Sequence, residues 1–174
     1  MRTNREMRRL ADALIDPIRV PIPADPEVLF EALVASVSAW RGREVVVHRR
    51  VFPPHTASGL WLERETHDDV VVDERAAAWH QIVIFCHEVW HMHRRQTDGR
   101  AVGESAGDLR PVAARTDFSL AEEQEADRFG MLVGRRLRTW LEASEDSVFA
   151  ARSTGAQGLA GRIGAALNHR GTRG

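Results

Sequence analysis

Residues 76–95 read AAAWHQIVIFCHEVWHMHRR, and the interpretation of the whole chain starts from this stretch. It contains no Gly or Pro and is long enough for about five turns of α-helix. Its middle, from Ile82 to Cys86, is apolar on nearly every side. A helix that is apolar all round lies in a protein core. The stretch therefore predicts a long, buried helix.

The second half of this helix carries the motif HEVWH, residues 87–91. His87 and His91 are four residues apart and share one helix face, about 5–6 Å from each other, so both imidazoles can reach one metal ion. Glu88 lies one residue round the helix, where it can reach a water at the metal without binding the metal, as a general base must. Without a metal, three buried polar side chains would be costly. The motif predicts a zinc site with Glu88 as catalytic base.

The third metal ligand is expected on a second long helix, predicted over residues 119–142, because a hydrolytic zinc needs three protein ligands and an open position. Glu123 continues the apolar stripe of that helix, and Asp127 follows it at i+4 on the same face. Glu122 and Glu125 point away from that face, and an acidic first turn interacting with the helix dipole explains both. We predict Glu123 as the third ligand, with Asp127 accepting a hydrogen bond from a ligand histidine.

The remainder of the chain predicts an α+β fold. Helical spacing and caps indicate N-terminal helices within residues 5–42, one of them starting after Asp25 and ending near Gly42. Three β-rich runs lie within residues 44–73, and we expect a small, mainly antiparallel three-stranded sheet. The two long helices, 76–95 and 119–142, should pack on this sheet.

The pattern of the sequence also predicts the domain boundaries. Residues 1–143 are expected to form a single domain, in which residues 97–117 make a long polar loop. Residues 144–174 are rich in Gly and Ala and predict a tail that is weakly helical or disordered.

Composition narrows the possible chemistry. The chain has no Lys and no Tyr, which excludes Schiff-base and P-loop enzymes and any tyrosine oxyanion donor. The single cysteine, Cys86, excludes an internal disulfide and a cysteine-based zinc finger. A net charge of −1 gives no field that attracts nucleic acid. The sequence lacks the apolar run of a signal peptide and any membrane span, so we expect a cytoplasmic protein with no direct nucleic-acid binding.

The two motifs together resemble those of a known family. HEVWH, followed by EQEAD at residues 123–127 and by Phe129, is similar to the ImmA/IrrE family of metallopeptidases over roughly residues 75–135. The resemblance implies a zincin-like fold with one Zn²⁺ and a glutamate ligand. It also implies a cytoplasmic endopeptidase that cleaves a helix-turn-helix transcriptional repressor or an antitoxin, in a regulatory or toxin–antitoxin system. The chain has Asp127 where the family commonly has Asn, and a Gly-rich insert between the motifs.

Two other functions stay open at this point. The first is a non-proteolytic zinc-binding toxin or interaction module on the same fold, which would not need Glu88. The second is a serine hydrolase that uses Ser105 in the sequence GESAG, residues 103–107. That motif requires a strand before it, a helix after it and a large parallel sheet, and its surroundings here predict none of these.

Overall fold

The computed structural model of the chain describes residues 2–54, 56–97 and 118–141, which form four helices and one three-stranded sheet. The predicted α+β class is confirmed. Of the predicted loop at 97–117, only Thr97 lies within the described residues, where it ends a helix; the predicted tail from residue 144 lies outside them. The elements in chain order are α1 (Arg2–Ile15), α2 (Pro26–Arg41), β1 (Val45–Arg50), β2 (Gly59–Glu63), β3 (Asp68–Asp73), α3 (Ala78–Thr97) and α4 (residues 120–141).

Helix α2 begins and ends at the residues that the sequence predicts. The Asp25 side chain accepts hydrogen bonds from the backbone N–H groups of Glu27 (2.9 Å) and Val28 (3.2 Å). These two N–H groups have no partner inside the helix, so the cap stabilises its first turn. At the other end Gly42 adopts a left-handed φ of 73° and donates its N–H to Ser38, which ends the helix.

The sheet is mixed, with strand order β1-β3-β2, so the prediction of a mainly antiparallel sheet is wrong. β2 and β3 are antiparallel, whereas β1 and β3 are parallel. The connection between β1 and β2, residues 51–58, contains Pro53 and Pro54 and does not form a tight hairpin. The turn after β2 is short, and Arg64 donates its N–H to His67 across it. β3 therefore lies between β1 and β2, and β2 is at an edge of the sheet.

A buried ion pair fixes the end of the sheet that lies nearest α2. The Asp68 side chain is fully buried and accepts hydrogen bonds from Arg41 Nε (2.8 Å) and Trp61 Nε1 (3.0 Å). Arg41 also contacts Glu63 of β2 at 3.0 Å. A buried carboxylate is tolerated only when it is paired and hydrogen-bonded, as Asp68 is. These contacts tie α2 to β2 and β3, and hold β2 in place beside α3.

Helix α3 lies in the core, as its composition predicts, and it packs against α2, β2 and β3. Ile82, Phe85 and Val89 are all buried. Trp90 is fully buried and its ring packs against Phe129 of α4, with 5.2 Å between centroids. Within the described ranges, no helix has the length and apolar character that a membrane crossing requires.

The backbones of α3 and α4 approach each other closely at Gly130. A Cβ at this position would lie 2.5 Å from the Val83 carbonyl oxygen and 3.3 Å from the His87 nitrogen. A Cβ at Gly134, one turn further along, would lie 2.5 Å from a methyl group of Val83. Only glycine permits this separation, because the Val83 carbonyl belongs to the helix backbone and cannot rotate away. The contact places the first turns of α4 beside His87.

We expect Gly130→Ala to lower the free energy of unfolding by about 1–3 kcal/mol, because the added methyl group overpacks the helix contact. It should also weaken metal binding, since separating the helices moves Glu123 away from the histidines. Urea denaturation and zinc titration measure the two effects.

Gly42→Ala is the matched control. It strains a left-handed residue, at a cost of about 1–2 kcal/mol, but nothing lies within 4 Å of the added Cβ. A loss of zinc affinity that is equal in the two variants would contradict the role assigned to the helix contact.

Candidate metal centre

Three side chains that the sequence predicts as ligands converge on one point. His87 Nε2 and His91 Nε2 are 3.1 Å apart. Oxygens of Glu123 lie 3.4 Å from His87 Nε2 and 3.3 Å from His91 Nε2. Ligands of a tetrahedral zinc with bonds of about 2.0–2.1 Å are separated by about 3.3–3.4 Å. Each of these distances is near that value, with one Glu123 oxygen facing each histidine. In the described part of the chain, His87, His91 and Glu123 are the one group of three or more His, Cys, Asp or Glu side chains that could hold a metal ion.

The N-terminus of α4 determines which acidic residue reaches this cluster. Ser119 donates its N–H to the Glu122 carboxylate at 2.7 Å, and Glu122 donates its N–H to the Ser119 hydroxyl at 3.3 Å. This reciprocal pair is a capping box, in which the glutamate satisfies backbone groups at the helix start. Glu122 is thus used in the cap, while Glu123 turns toward the histidines. Glu125 is not part of the cluster.

Asp127 contacts the outer nitrogen of a ligand histidine, where the sequence predicts it. Its Oδ1 lies 2.9 Å from His87 Nδ1. A proton on Nδ1 donated to this carboxylate leaves the lone pair of Nε2 directed at the cluster. The Asp127 side chain is 73% exposed, so solvent screens its charge. Its contribution is therefore to orient the His87 ring.

Glu88 lies beside the cluster but is not one of its donor atoms. It is buried, and it lines a small cavity together with His87, His91 and Glu123. This cavity offers about 10 Å³ to water centres, which is room for about one water or ion. The position suits a group that acts on a water at the metal without coordinating the metal.

The edge strand passes directly against the Glu88 carboxylate at Gly59, a residue that belongs to neither motif. A Cβ at Gly59 would lie 2.7 Å from Glu88 Oε1 and 2.5 Å from Ile84 Cγ2. Any side chain here would displace the carboxylate or the strand. A glycine inside a strand often marks close approach of another group, and this signal was available in the sequence.

The cluster is enclosed on one side and borders a wide cavity on the other. The ring of Phe118 stacks on His91, with 3.9 Å between centroids and 23° between planes. On the other side a cavity of about 260 Å³ is lined by His80, His87, Glu88 and Asp127, among others. A ligand that enters this cavity would reach the cluster from that side. Phe118 immediately precedes the predicted ligand helix, and no pattern in the sequence around it predicts that its ring stacks on His91.

The other candidate groups lie apart from the donor set. His93 forms an ion pair with Glu6 at 2.8 Å, and His80 stacks on Trp79 while lining the wide cavity. Cys86 is buried, and burial raises the pKa of its thiol well above the usual range. Ser105 of the GESAG sequence falls outside the described residues.

Comparisons of the chain with protein-family models, curated proteins and solved structures found no match. The similarity to the ImmA/IrrE family therefore rests on the two motifs and stays a prediction.

Single alanine substitutions test the ligand set. We expect Glu123→Ala, like His87→Ala and His91→Ala, to abolish tight zinc binding, because each removes one of three donors. Asp127→Ala should weaken binding by roughly 10–100-fold through loss of the His87 orientation. Metal analysis of the purified proteins and competition titration with a chelator give these values.

Glu122→Ala and Glu125→Ala are the matched controls from the same helix, and both should keep full stoichiometry. If Glu125→Ala lost the metal while Glu123→Ala kept it, the assignment of the third ligand would be wrong.

Proposed function

We propose that the chain is a zinc-dependent endopeptidase of the zincin type. The observation that carries the proposal is the convergence of His87, His91 and Glu123, whose facing donor atoms lie 3.1–3.4 Å apart, with the non-coordinating, buried Glu88 beside them. Two imidazoles and one carboxylate form a donor set that suits zinc, and they leave one tetrahedral position open. A structural zinc site would use four protein ligands and would not need a base next to it.

A zinc ion held there would supply a Lewis acid and lower the pKa of a water at the open position. Glu88 would take the proton from that water and deliver it to the leaving amine, as a general base that becomes a general acid. Asp127 would keep His87 in the tautomer that binds metal. Contact with Gly59 would hold the Glu88 carboxylate in one orientation.

The position of β2 at the edge of the sheet supports the proposal that the substrate binds as an extended strand. Ser58, next to β2, accepts a hydrogen bond from the N–H of Asp73 in β3, and at the other end Arg64 donates its N–H to His67, which immediately precedes β3. Hydrogen-bonding residues alternate along an antiparallel pair. The backbone groups of Trp61 and Glu63 therefore point away from β3, toward the sheet edge. A substrate strand added at this edge would run past Gly59 and Glu88. Strand β3 cannot offer such an edge, because it is the central strand.

For the substrate, we propose a helix-turn-helix repressor or an antitoxin of a regulatory or toxin–antitoxin system, acted on in the cytoplasm. The support is the motif resemblance described above. The direct test is incubation of the zinc-loaded protein with helix-turn-helix proteins encoded by neighbouring genes, followed by mass spectrometry of any fragments.

Glu88→Gln should retain one zinc ion per chain and lose cleavage by at least about 100-fold, because an amide keeps the shape but cannot accept the proton. Glu65→Gln, an exposed change in the turn between β2 and β3, is the matched control and should cleave normally. Cleavage by Glu88→Gln at the wild-type rate would leave only a non-hydrolytic role for the motif.

Gly59→Ala should retain zinc but lower kcat by about 10–100-fold, since the added methyl group displaces the Glu88 carboxylate and small misplacements of catalytic groups have effects of this size. The pH at which kcat/KM is half-maximal should move as well, because the surroundings of the base change. Gly42→Ala provides a glycine-to-alanine control away from the site. A change in thermal stability with unaltered kcat and pH profile would show that Gly59 has a structural role only.

A further inference from the structure

A second depression, separate from the metal centre, lies between α1 and α4. Its volume is about 470 Å³. Three arginines, Arg8, Arg128 and Arg135, stand along it, and each of them is exposed. Met131 and Leu132 provide a partly exposed apolar floor. We refer to this depression as the arginine groove.

The arginine groove has an excess of positive charge. Across residues 2–54, 56–97 and 118–141, no carboxylate forms an ion pair with Arg8, Arg128 or Arg135. Arg128 donates one hydrogen bond from Nε to the Gln124 carbonyl, and its side chain lines the groove. The one acidic residue on the wall is Asp127, and its carboxylate faces His87. The groove therefore offers cationic, planar donors beside an apolar surface.

The arginine groove adjoins the active-site cavity. Asp127 forms part of the wall of both. Arg135 follows Glu123, the ligand on α4, by twelve residues, a distance of about 18 Å at 1.5 Å per residue. An extended peptide covers about 3.3 Å per residue. A chain leaving the metal centre past Asp127 would thus bring roughly its fifth or sixth residue to Arg135.

We propose that the arginine groove binds a segment of the polypeptide substrate that carries carboxylates beside apolar side chains, about five to six residues from the scissile bond. This inference rests on the proposed function and adds the class of sequence that the site selects. Guanidinium groups pair with carboxylates through two parallel hydrogen bonds, and the Met131 and Leu132 side chains would bury the intervening apolar residues. A DNA-binding surface is basic and would be repelled here. The recognised part of a repressor would then be an acidic segment away from its DNA-binding face.

Binding is measured first, without turnover. The full-length, zinc-loaded Glu88→Gln protein is titrated against a short fluorescein-labelled peptide that alternates Leu and Glu, and against its Leu–Gln counterpart, by fluorescence anisotropy. We expect the Leu–Glu peptide to bind more tightly, and its affinity to fall about five-fold or more when Arg8→Gln and Arg135→Gln are combined, since each exposed ion pair contributes modestly. Added salt should weaken the binding.

Arg2→Gln combined with Arg5→Gln is the matched control. These arginines lie on the same helix α1 but line a different depression, so the pair removes the same charge without touching the arginine groove. Equal loss of affinity in both double variants would show a general charge effect and overturn the inference. Equal affinity for the Leu–Glu peptide and the Leu–Gln peptide would overturn it as well.

Cleavage is then measured with wild-type protein and a mixture of proteome-derived peptides. Cleaved bonds should be enriched in Asp or Glu about five or six residues away on one side. The Arg8→Gln, Arg135→Gln protein should lose this preference through KM, with kcat unchanged. Cleavage with no such preference overturns the inference and leaves the peptidase proposal in place. Arginine-dependent binding of the acidic peptide without any cleavage by the wild type overturns the peptidase proposal and supports the groove as a binding site.

Discussion

The near-contact of α3 and α4 at Gly130 is the constraint on which the metal cluster depends. The cluster takes two donors from α3 and one from α4, so its dimensions are set by the distance between two helix axes. α3 is held in the core by the sheet and by α2, and α4 follows it through the buried side chains of Phe129, Val133 and Leu137. Because the Val83 carbonyl lies where a Cβ would be, the helices are as close as backbones permit. That closeness lets a side chain as short as Asp127 reach the far nitrogen of His87.

The sequence predicts the parts of this site that depend on local geometry. The i, i+4 spacing of His87 and His91 and the angular position of Glu123 follow from a helix with 100° per residue, and the structure brings all three together. The caps of α2 are similarly local, since Asp25 and Gly42 act on neighbouring backbone groups. Helix positions are therefore predicted well, and helix ends to within a few residues.

Features that depend on non-local packing were not predicted. One such feature is the strand order, because no pattern within residues 44–73 predicts that β3 lies between β1 and β2. That order depends on the paths of the connections and on the buried ion pair of Asp68 and Arg41. The contact of Gly59 with Glu88 is another, since it joins residues far apart in the chain. Gly59 and Gly130 mark in the sequence the two places where other groups approach the backbone closely. The groups that approach these glycines could be identified only from the fold.

The burial of Cys86 has a consequence for the conditions under which the site would keep its metal. Cys86 is the single cysteine of the chain and neighbours His87 in sequence, yet its side chain lies in the core and its thiol is held protonated. The donors that converge in the cluster are nitrogen and oxygen, which peroxide and disulfide exchange do not attack as they attack thiolates. Zinc sites built on cysteine release their ion when the sulfur is oxidised. A centre made of His87, His91 and Glu123, with the adjacent sulfur buried in the core, would keep its ion under oxidising conditions.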